Sequence, residues 1–246
     1  MNISIIIPTF HSGVLAEICI KSFIRFCPSN ISLDFIVVEN SDDISYKSNL
    51  ESIVSKSHNI AFVSNPTNHR GSEANADAIH IGLKTVKNEW IFIAHCDTCV
   101  TSEKFYDAFL SKIKEGYMLI GTYRDINRIH AIHVLGLMAH KSIVNVDYFP
   151  AYKDGKQIMD VGDRLTVYCE KNNIKHYCFN DTFGGDAKID KDSKFYDLQV
   201  CRTVYNNEVI YMHLGRGIPK TFQTYNRKGG VYLDDWVKFC NDRIMI

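Results

Sequence analysis

No sign of charge dominates this chain, whose 28 Lys and Arg are matched by 28 Asp and Glu. That balance excludes a global field able to gather nucleic acid or an anionic membrane, so an anionic ligand must be held by a local site. No apolar run approaches the ~20 residues that cross a bilayer. The opening stretch MNISIIIPTF has no basic residue ahead of its short apolar run, unlike a signal peptide, and the expectation is a soluble, cytoplasmic protein. No G-x-G-x-x-G and no P-loop lysine motif is present, which disfavours nicotinamide cofactors and simple ATP hydrolysis. The CxxC formed by Cys96 and Cys99 has no second CxxC to complete a four-cysteine zinc site. Nor does a helix open on it, as it would in a thioredoxin-like pair. The eight cysteines are scattered through apolar segments and read as buried thiols of a reducing compartment.

What is present is an ordinary globular composition, 46% apolar and 23% charged, over 246 residues. That length suits one α/β domain or two small ones. ISIIIPTF (Ile3 to Phe10), LDFIVVEN (Leu33 to Asn40), IAFVSN (Ile60 to Asn65) and WIFIA (Trp90 to Ala94) are short, nearly continuous apolar runs. Such runs suit parallel strands buried on both faces. Between them the apolar spacing is helical. Leu15, Ile18, Cys19 and Phe23 share one face, Ile44, Leu50, Ile53 and Val54 a second, and Ile79, Gly82, Leu83 and Val86 a third. Phe105, Phe109 and Ile113 line a fourth helix. Four alternations in about 115 residues predict a doubly wound, mostly parallel, Rossmann-like sheet with right-handed crossovers. Ligands of such sheets bind beyond the carboxyl ends of the strands. The groups there are Thr9 and Phe10, Glu39 to Asp43, Asn65 to Gly71, and His95 to Thr98.

Later segments add to this frame. YMLIGTYR and HAIHVLGLMAHKSIV read as two more strands with a short helix. His130 and His133 would face opposite ways on a strand, and with His140 they match no zinc spacing. Asp160 and Asp163 open a helix with Leu165, Val167, Tyr168 and Cys169 as its apolar residues, and Asn172 and Asn173 end it. One aspartate there can simply cap the helix. Val209 to Met212 form a strand that ends at His213, followed by Gly215, Arg216 and Gly217. Glycines let a backbone approach phosphate closely, and arginine pairs with it bidentately. Trp236, Val237, Phe239 and Cys240 suggest a terminal amphipathic helix that packs back on the domain.

ISIIIPTF, FIVVENSDD, NHRGSEANADAIHIGL and WIFIAHCD resemble, in order and spacing, the nucleotide-sugar-binding half of family 2 glycosyltransferases with the GT-A fold. The resemblance covers residues 3 to 124 and continues more loosely to about residue 217. It implies a single GT-A domain over 1–246, with a nucleotide-sugar-binding half (1–124) and an acceptor-binding half with a C-terminal tail (125–246). The second half would carry a mixed β extension. The family's D-x-D motif falls on His95-Cys96-Asp97, so Asp97 keeps the second acid while His95 replaces the first. The resemblance makes Asp97, His95 and a late histidine, His213, the ligands of Mn2+ or Mg2+ bridging the donor's phosphates. By position it carries donor binding onto Pro8, Thr9, Phe10, Glu39, Arg70, Asp97 and Arg216. Glu39 stands where the family usually has aspartate at the nucleoside. The family's catalytic acid opens a helix at the place of Asp160 and Asp163, and either could take the acceptor hydroxyl's proton.

The implied function is inverting, divalent-metal-dependent transfer from a nucleotide-sugar donor to a glycan, lipid-linked or protein acceptor, as in polysaccharide biosynthesis. The alternatives are a nucleotidyltransferase, disfavoured by the lack of a G.G.R stretch, and a nucleotide-sugar-binding scaffold that lost turnover when His95 replaced the first acid. Neither nucleic acid nor an integral membrane segment enters this reading, and nothing in the sequence fixes an oligomeric state.

Overall fold

The four apolar runs become four parallel strands in the computed structural model, which describes residues 1–53, 58–125, 128–182, 200–214 and 233–244. They are β1 (Asn2–Thr9), β2 (Ser32–Glu39), β3 (Asn59–Ser64) and β4 (Trp90–Ala94), and the helices between them are α1 (Gly13–Arg25), α2 (Lys47–Ile53) and α3 (Ser72–Thr85). Every residue of β1 from Ile3 to Thr9 is buried, as expected of a strand covered on both faces. Further along come β5 (Thr98–Val100), α4 (Lys104–Lys114), β6 (Leu119–Gly121), β7 (Gly136–His140), β8 (Ala151–Lys153) and β9 (Lys156–Met159). The remaining elements are α5 (Asp163–Lys171), β10 (His176–Cys178), β11 (Asn180–Thr182), β12 (Cys201–Tyr205), β13 (Glu208–His213) and α6 (Leu233–Ile244).

The main sheet has seven strands in the order β10-β6-β7-β4-β1-β2-β3. β7 runs antiparallel to both of its neighbours, and the other pairings are parallel. One face packs Phe23, Phe35, Phe92, Phe105, Phe109 and Tyr211 together beneath α1 and α4. The other buries Ile79, Val134, Leu165 and Cys169 beneath α3 and α5. A second, antiparallel sheet in the order β11-β12-β13-β5 continues from the end of β4. On it Thr98 is paired with His213 and Val100 with Tyr211. Trp236 and Cys240 of α6 are fully buried in a third cluster with Leu15 and Ile18 of α1, so the last described helix does pack back on the domain. Among the described residues no helix is long and apolar enough to cross a membrane.

Two sequence expectations change in detail, and a third falls outside the described residues. Ile44 is 58% exposed and lies ahead of α2, because Asp43 Oδ1 accepts from both the Ser45 amide and its hydroxyl and holds a turn there. Val54 lies outside the described residues. Tyr168 is exposed on α5, and Thr166 is buried in its stead, its hydroxyl accepting from the Ile132 amide at 2.9 Å.

Candidate active site

The carboxyl ends of β1, β2, β3 and β4 lie side by side, and the polar groups that follow them share one edge of the sheet. Past β4 the chain turns at His95, whose amide donates to Leu135 O at 3.3 Å, and enters β5 after Asp97. Pairing of β5 with β13 brings His213 back beside Asp97, and the Leu214 amide donates to Asp97 O at 2.9 Å. Three residues 118 or fewer positions apart thus converge: His95, Asp97 and His213 each offer a ligand atom, all within 4.8 Å of one another. Among the described residues this is the one group of three or more such side chains so arranged.

Its electrostatics follow from one buried carboxylate set between two imidazoles. Asp97 is 3% exposed, with Oδ1 3.3 Å from His213 Nε2 and Oδ2 buried with no hydrogen-bond partner. Burial alone would raise the Asp97 carboxyl, but the neighbouring His213 charge outweighs it and holds the group below the ordinary range. The same pair raises His213 against the opposing effect of its burial. Burial, with the His213 charge next, lowers His95 to about 3, so its imidazole is neutral and able to ligate. Asn75 Nδ2, in the first turn of α3, lies 3.0 Å from His95 Nε2 and fixes the ring. A metal-bound histidine donates its second ring N–H to an acceptor, a part that the Asn75 amide oxygen, buried without a partner, plays once the amide is turned about. An unpartnered buried carboxylate oxygen flanked by two imidazoles fits a divalent cation, so the residues present suit the ion that the sequence implies.

Beyond His95 the row of imidazoles continues. The His133 ring centroid lies 5.6 Å from that of His95, and His133 Nε2 is 3.6 Å from Asp160 Oδ2. Asp160 is held by five donors. Ser72 Oγ (2.7 Å), Gln157 Nε2 (3.0 Å) and the Val161 amide (2.8 Å) reach Oδ1. Arg128 Nη2 (2.9 Å) and His133 reach Oδ2, and Arg128 also pairs with Asp125. Burial opposes ionisation of Asp160, yet His133 and Ser72 carry its carboxyl well below the usual range. Asp163 differs. It is fully buried in the first turn of α5, where Oδ2 accepts from the Asp160 amide at 2.7 Å, and burial raises its carboxyl. Gly162 separates the two acids at φ 80°, and a Cβ there would meet Val134 Cγ1 at 2.2 Å, so only glycine admits this turn.

The donor-side residues divide into two groups. Pro8, Thr9 and Glu39 are buried. Thr9 donates to Val38 O at 3.2 Å and lies 2.9 Å from the Tyr46 hydroxyl. Glu39 is fully enclosed: Oε1 accepts from the His11 and Ser41 amides, and Oε2 accepts from the Tyr46 hydroxyl. Its carboxylate therefore shapes the loop that follows β2. Phe10 is half-buried and Arg70 exposed, with the guanidinium 5.5 Å from the Phe10 ring centroid. Arg216 lies outside the described residues. Removing the Tyr46 hydroxyl should expose the dependence of this pocket on Glu39. Tyr46→Phe leaves a buried carboxylate oxygen without its donor and is expected to cost ~1–3 kcal/mol. Urea unfolding measures it, and an unchanged midpoint would mean that Glu39 has another partner.

Asn75 and Arg128 belong to this candidate site without having been singled out by the sequence reading. His133 was discounted with His130, which is exposed and at φ 57°. The two cysteines of the CxxC stay apart from metal chemistry. Burial pushes the Cys96 thiol well up, which keeps it protonated, and Cys99 is buried with its Sγ donating to Val100 O.

No curated protein sequence matches the chain. Among solved structures, M. tuberculosis glucosyl-3-phosphoglycerate synthase is similar with a TM-score of 0.50 at 11% identity, over 72% of this chain and 70% of that one. A mannosyltransferase from Pyrobaculum calidifontis, in complex with GDP-Man and Mn2+, is similar with a TM-score of 0.47 at 10% identity, over 58% of this chain. The chain spans 45% of that protein's length. At 11% identity the likeness to the synthase is one of fold alone, the GT-A arrangement of a large, mostly parallel sheet. The profile of glycosyl transferase family 2 matches residues 4–146, more than half of the sequence, from within β1 through β7. The chain belongs to glycosyl transferase family 2.

Proposed function

We propose that the protein moves a sugar, with inversion, from a nucleoside diphosphate sugar to a hydroxyl of a glycan, lipid-linked or protein acceptor. The observation that carries this reading is the His95, Asp97 and His213 triad at the carboxyl edge of the sheet in a family 2 chain. The chemistry that Mn2+ or Mg2+ supplies there when bound is neutralisation of the charge growing on the departing diphosphate. Phe10 offers the nucleoside an aromatic face, and Arg70 beside it offers a cation to the base or pyrophosphate. Asp160 takes the acceptor's proton. In support, its side chain is 15% exposed and borders the imidazole row, whereas Asp163 is sealed. A carboxylate held so far down accepts a proton only late, once the acceptor oxygen has begun to bond the anomeric carbon and become acidic. Its five donors fix it in place for that moment.

A thermal-shift series of nucleotide-sugars, with and without Mn2+, tests the donor half of the proposal. Binding raises stability by mass action, ~2.7 kcal/mol at a hundred times the dissociation constant. One base class is expected to raise the melting point, and more strongly with Mn2+. The same samples should slowly release free sugar, because water can replace the acceptor. Shifts without release would leave a binding protein only, and no shift with any nucleoside diphosphate would remove the donor site altogether.

A further inference from the structure

We propose that His95 sets the ion preference of this site, so that the site takes Mn2+, Co2+ or Zn2+ and discriminates against Mg2+. The inference rests on the metal-binding reading above and adds which class of ion the donor set accepts.

The donor set is two imidazole nitrogens and one carboxylate. Mg2+ demands a near-ideal octahedron of oxygens and gives up its waters reluctantly, so a site in which two of three protein ligands are nitrogen suits it poorly. Imidazole favours first-row transition ions, whose affinity for a given N/O site rises from Mn2+ through Co2+. Charge acts in the same direction. A pair of carboxylates would offer two negative charges to a hard cation, while Asp97 offers one. Three observations indicate that His95 is a built ligand rather than a filler of the strand end. Its backbone amide is anchored on Leu135 O, its ring centroid stands 5.3 Å from that of His213, and its ligand atom lies within 4.8 Å of those of Asp97 and His213. Asp97 Oδ2, buried and with no partner among the described residues, supplies the independent sign that a ligand belongs there. Imidazole in place of carboxylate thus changes the class of ion taken.

The test is isothermal titration calorimetry of the full-length, metal-stripped chain with MnCl2, CoCl2 and MgCl2 in turn. It is repeated on His95→Asp, with circular dichroism to confirm that the variant is folded. The wild type is expected to bind Co2+ more tightly than Mn2+, and Mg2+ more weakly than Mn2+ by on the order of 100-fold. His95→Asp should narrow the gap between Mn2+ and Mg2+ by at least ~10-fold, mainly by improving Mg2+. Equal Mn2+ and Mg2+ affinities in the wild type would overturn the proposal while leaving the metal site standing. An unchanged ratio in folded His95→Asp would also overturn it. If none of the three ions binds, the metal-dependent reading falls with it. Should His95→Asp not fold, His95→Asn takes its place, and the ratio of Co2+ to Mg2+ affinity is expected to fall by at least ~10-fold, an unchanged ratio overturning the proposal.

Discussion

Replacing Asp97 with asparagine is expected to abolish metal-dependent turnover and to weaken Mn2+ binding by more than ~100-fold, beyond the 10–100-fold typical of losing a supporting residue. Asp97 is the only anionic member of the triad, so its loss removes charge as well as one ligand. The change also reaches His213, whose raised pKa rests on the Asp97 carboxylate against the effect of burial. With that charge gone, His213 should titrate at or below the ordinary imidazole range, which NMR of its ring protons reads directly. The stability of the metal-free protein follows. Because Asp97 is held low, its contribution is present above the unfolded carboxylate value of ~3.9 and is lost as pH falls further. Because His213 is held high, its contribution is complete below ~6.5 and drains as pH rises above it. The wild type should therefore gain most from the pair between about pH 4 and 6.5, and Asp97→Asn should lose that maximum. Metal binding has the opposite preference, since His213 must release its proton to ligate, so Mn2+ affinity should rise with pH. Retention of wild-type Mn2+ affinity by Asp97→Asn would place the ion elsewhere.

Much of the architecture was legible because burial writes itself into sequence. Ile3 to Ile7 and Trp90 to Ala94 form strands covered on both faces, which demand continuous apolar runs, and both emerge as read. Helical spacing located α1, α3 and α4 in the same way. Asp97 was visible because a carboxylate at the abrupt end of a buried run has little structural reason to be there. The acceptor side was harder. His133 reaches His95 because β7 runs antiparallel to β4, pairing Gly136 with Ala94, so residues preceding one strand sit beside residues following the other. No local periodicity encodes that reversal. Arg128 and Ser72 meet at Asp160 from 32 and 88 positions away, and a single sequence does not carry such pairings. The enclosure of Glu39 is hidden in the sequence for a similar reason. Its enclosing partner, Tyr46, lies on a segment whose only local signals are the turn formers Ser41 to Asp43. Side chains were thus readable where their role is local and unreadable where it depends on which loops fold together.

The two acids at the start of α5 should separate cleanly on substitution. Asp160→Asn keeps most of the acceptor capacity toward Ser72, Gln157 and Val161 but loses the charge that faces Arg128 and His133. It is expected to lower turnover with acceptor by roughly 10²–10⁴-fold, the range of a positioned acid or base, with little change in donor binding. Stability should fall as well, by ~1.5–3 kcal/mol, the usual contribution of a hydrogen bond to a charged group. Arg128 keeps Asp125, so the loss is not that of an abandoned buried cation. Asp163→Asn should behave differently. The residue is enclosed, and burial raises its carboxyl, which means that ionisation at neutral pH works against folding. Gly162 and not Asp163 stands at the cap of α5, and asparagine keeps an oxygen to accept from the Asp160 amide while carrying no charge, so stability at pH 7 should stay within ~1 kcal/mol of wild type or rise. Turnover should persist. Comparing kcat with KM for the acceptor makes the distinction, because a purely structural role for Asp160 would lower both variants in proportion to their unfolding. If Asp163→Asn instead folds normally and is inactive, Asp163 is the proton acceptor and Asp160 its clamp. If both variants retain full activity, the base lies outside this helix start.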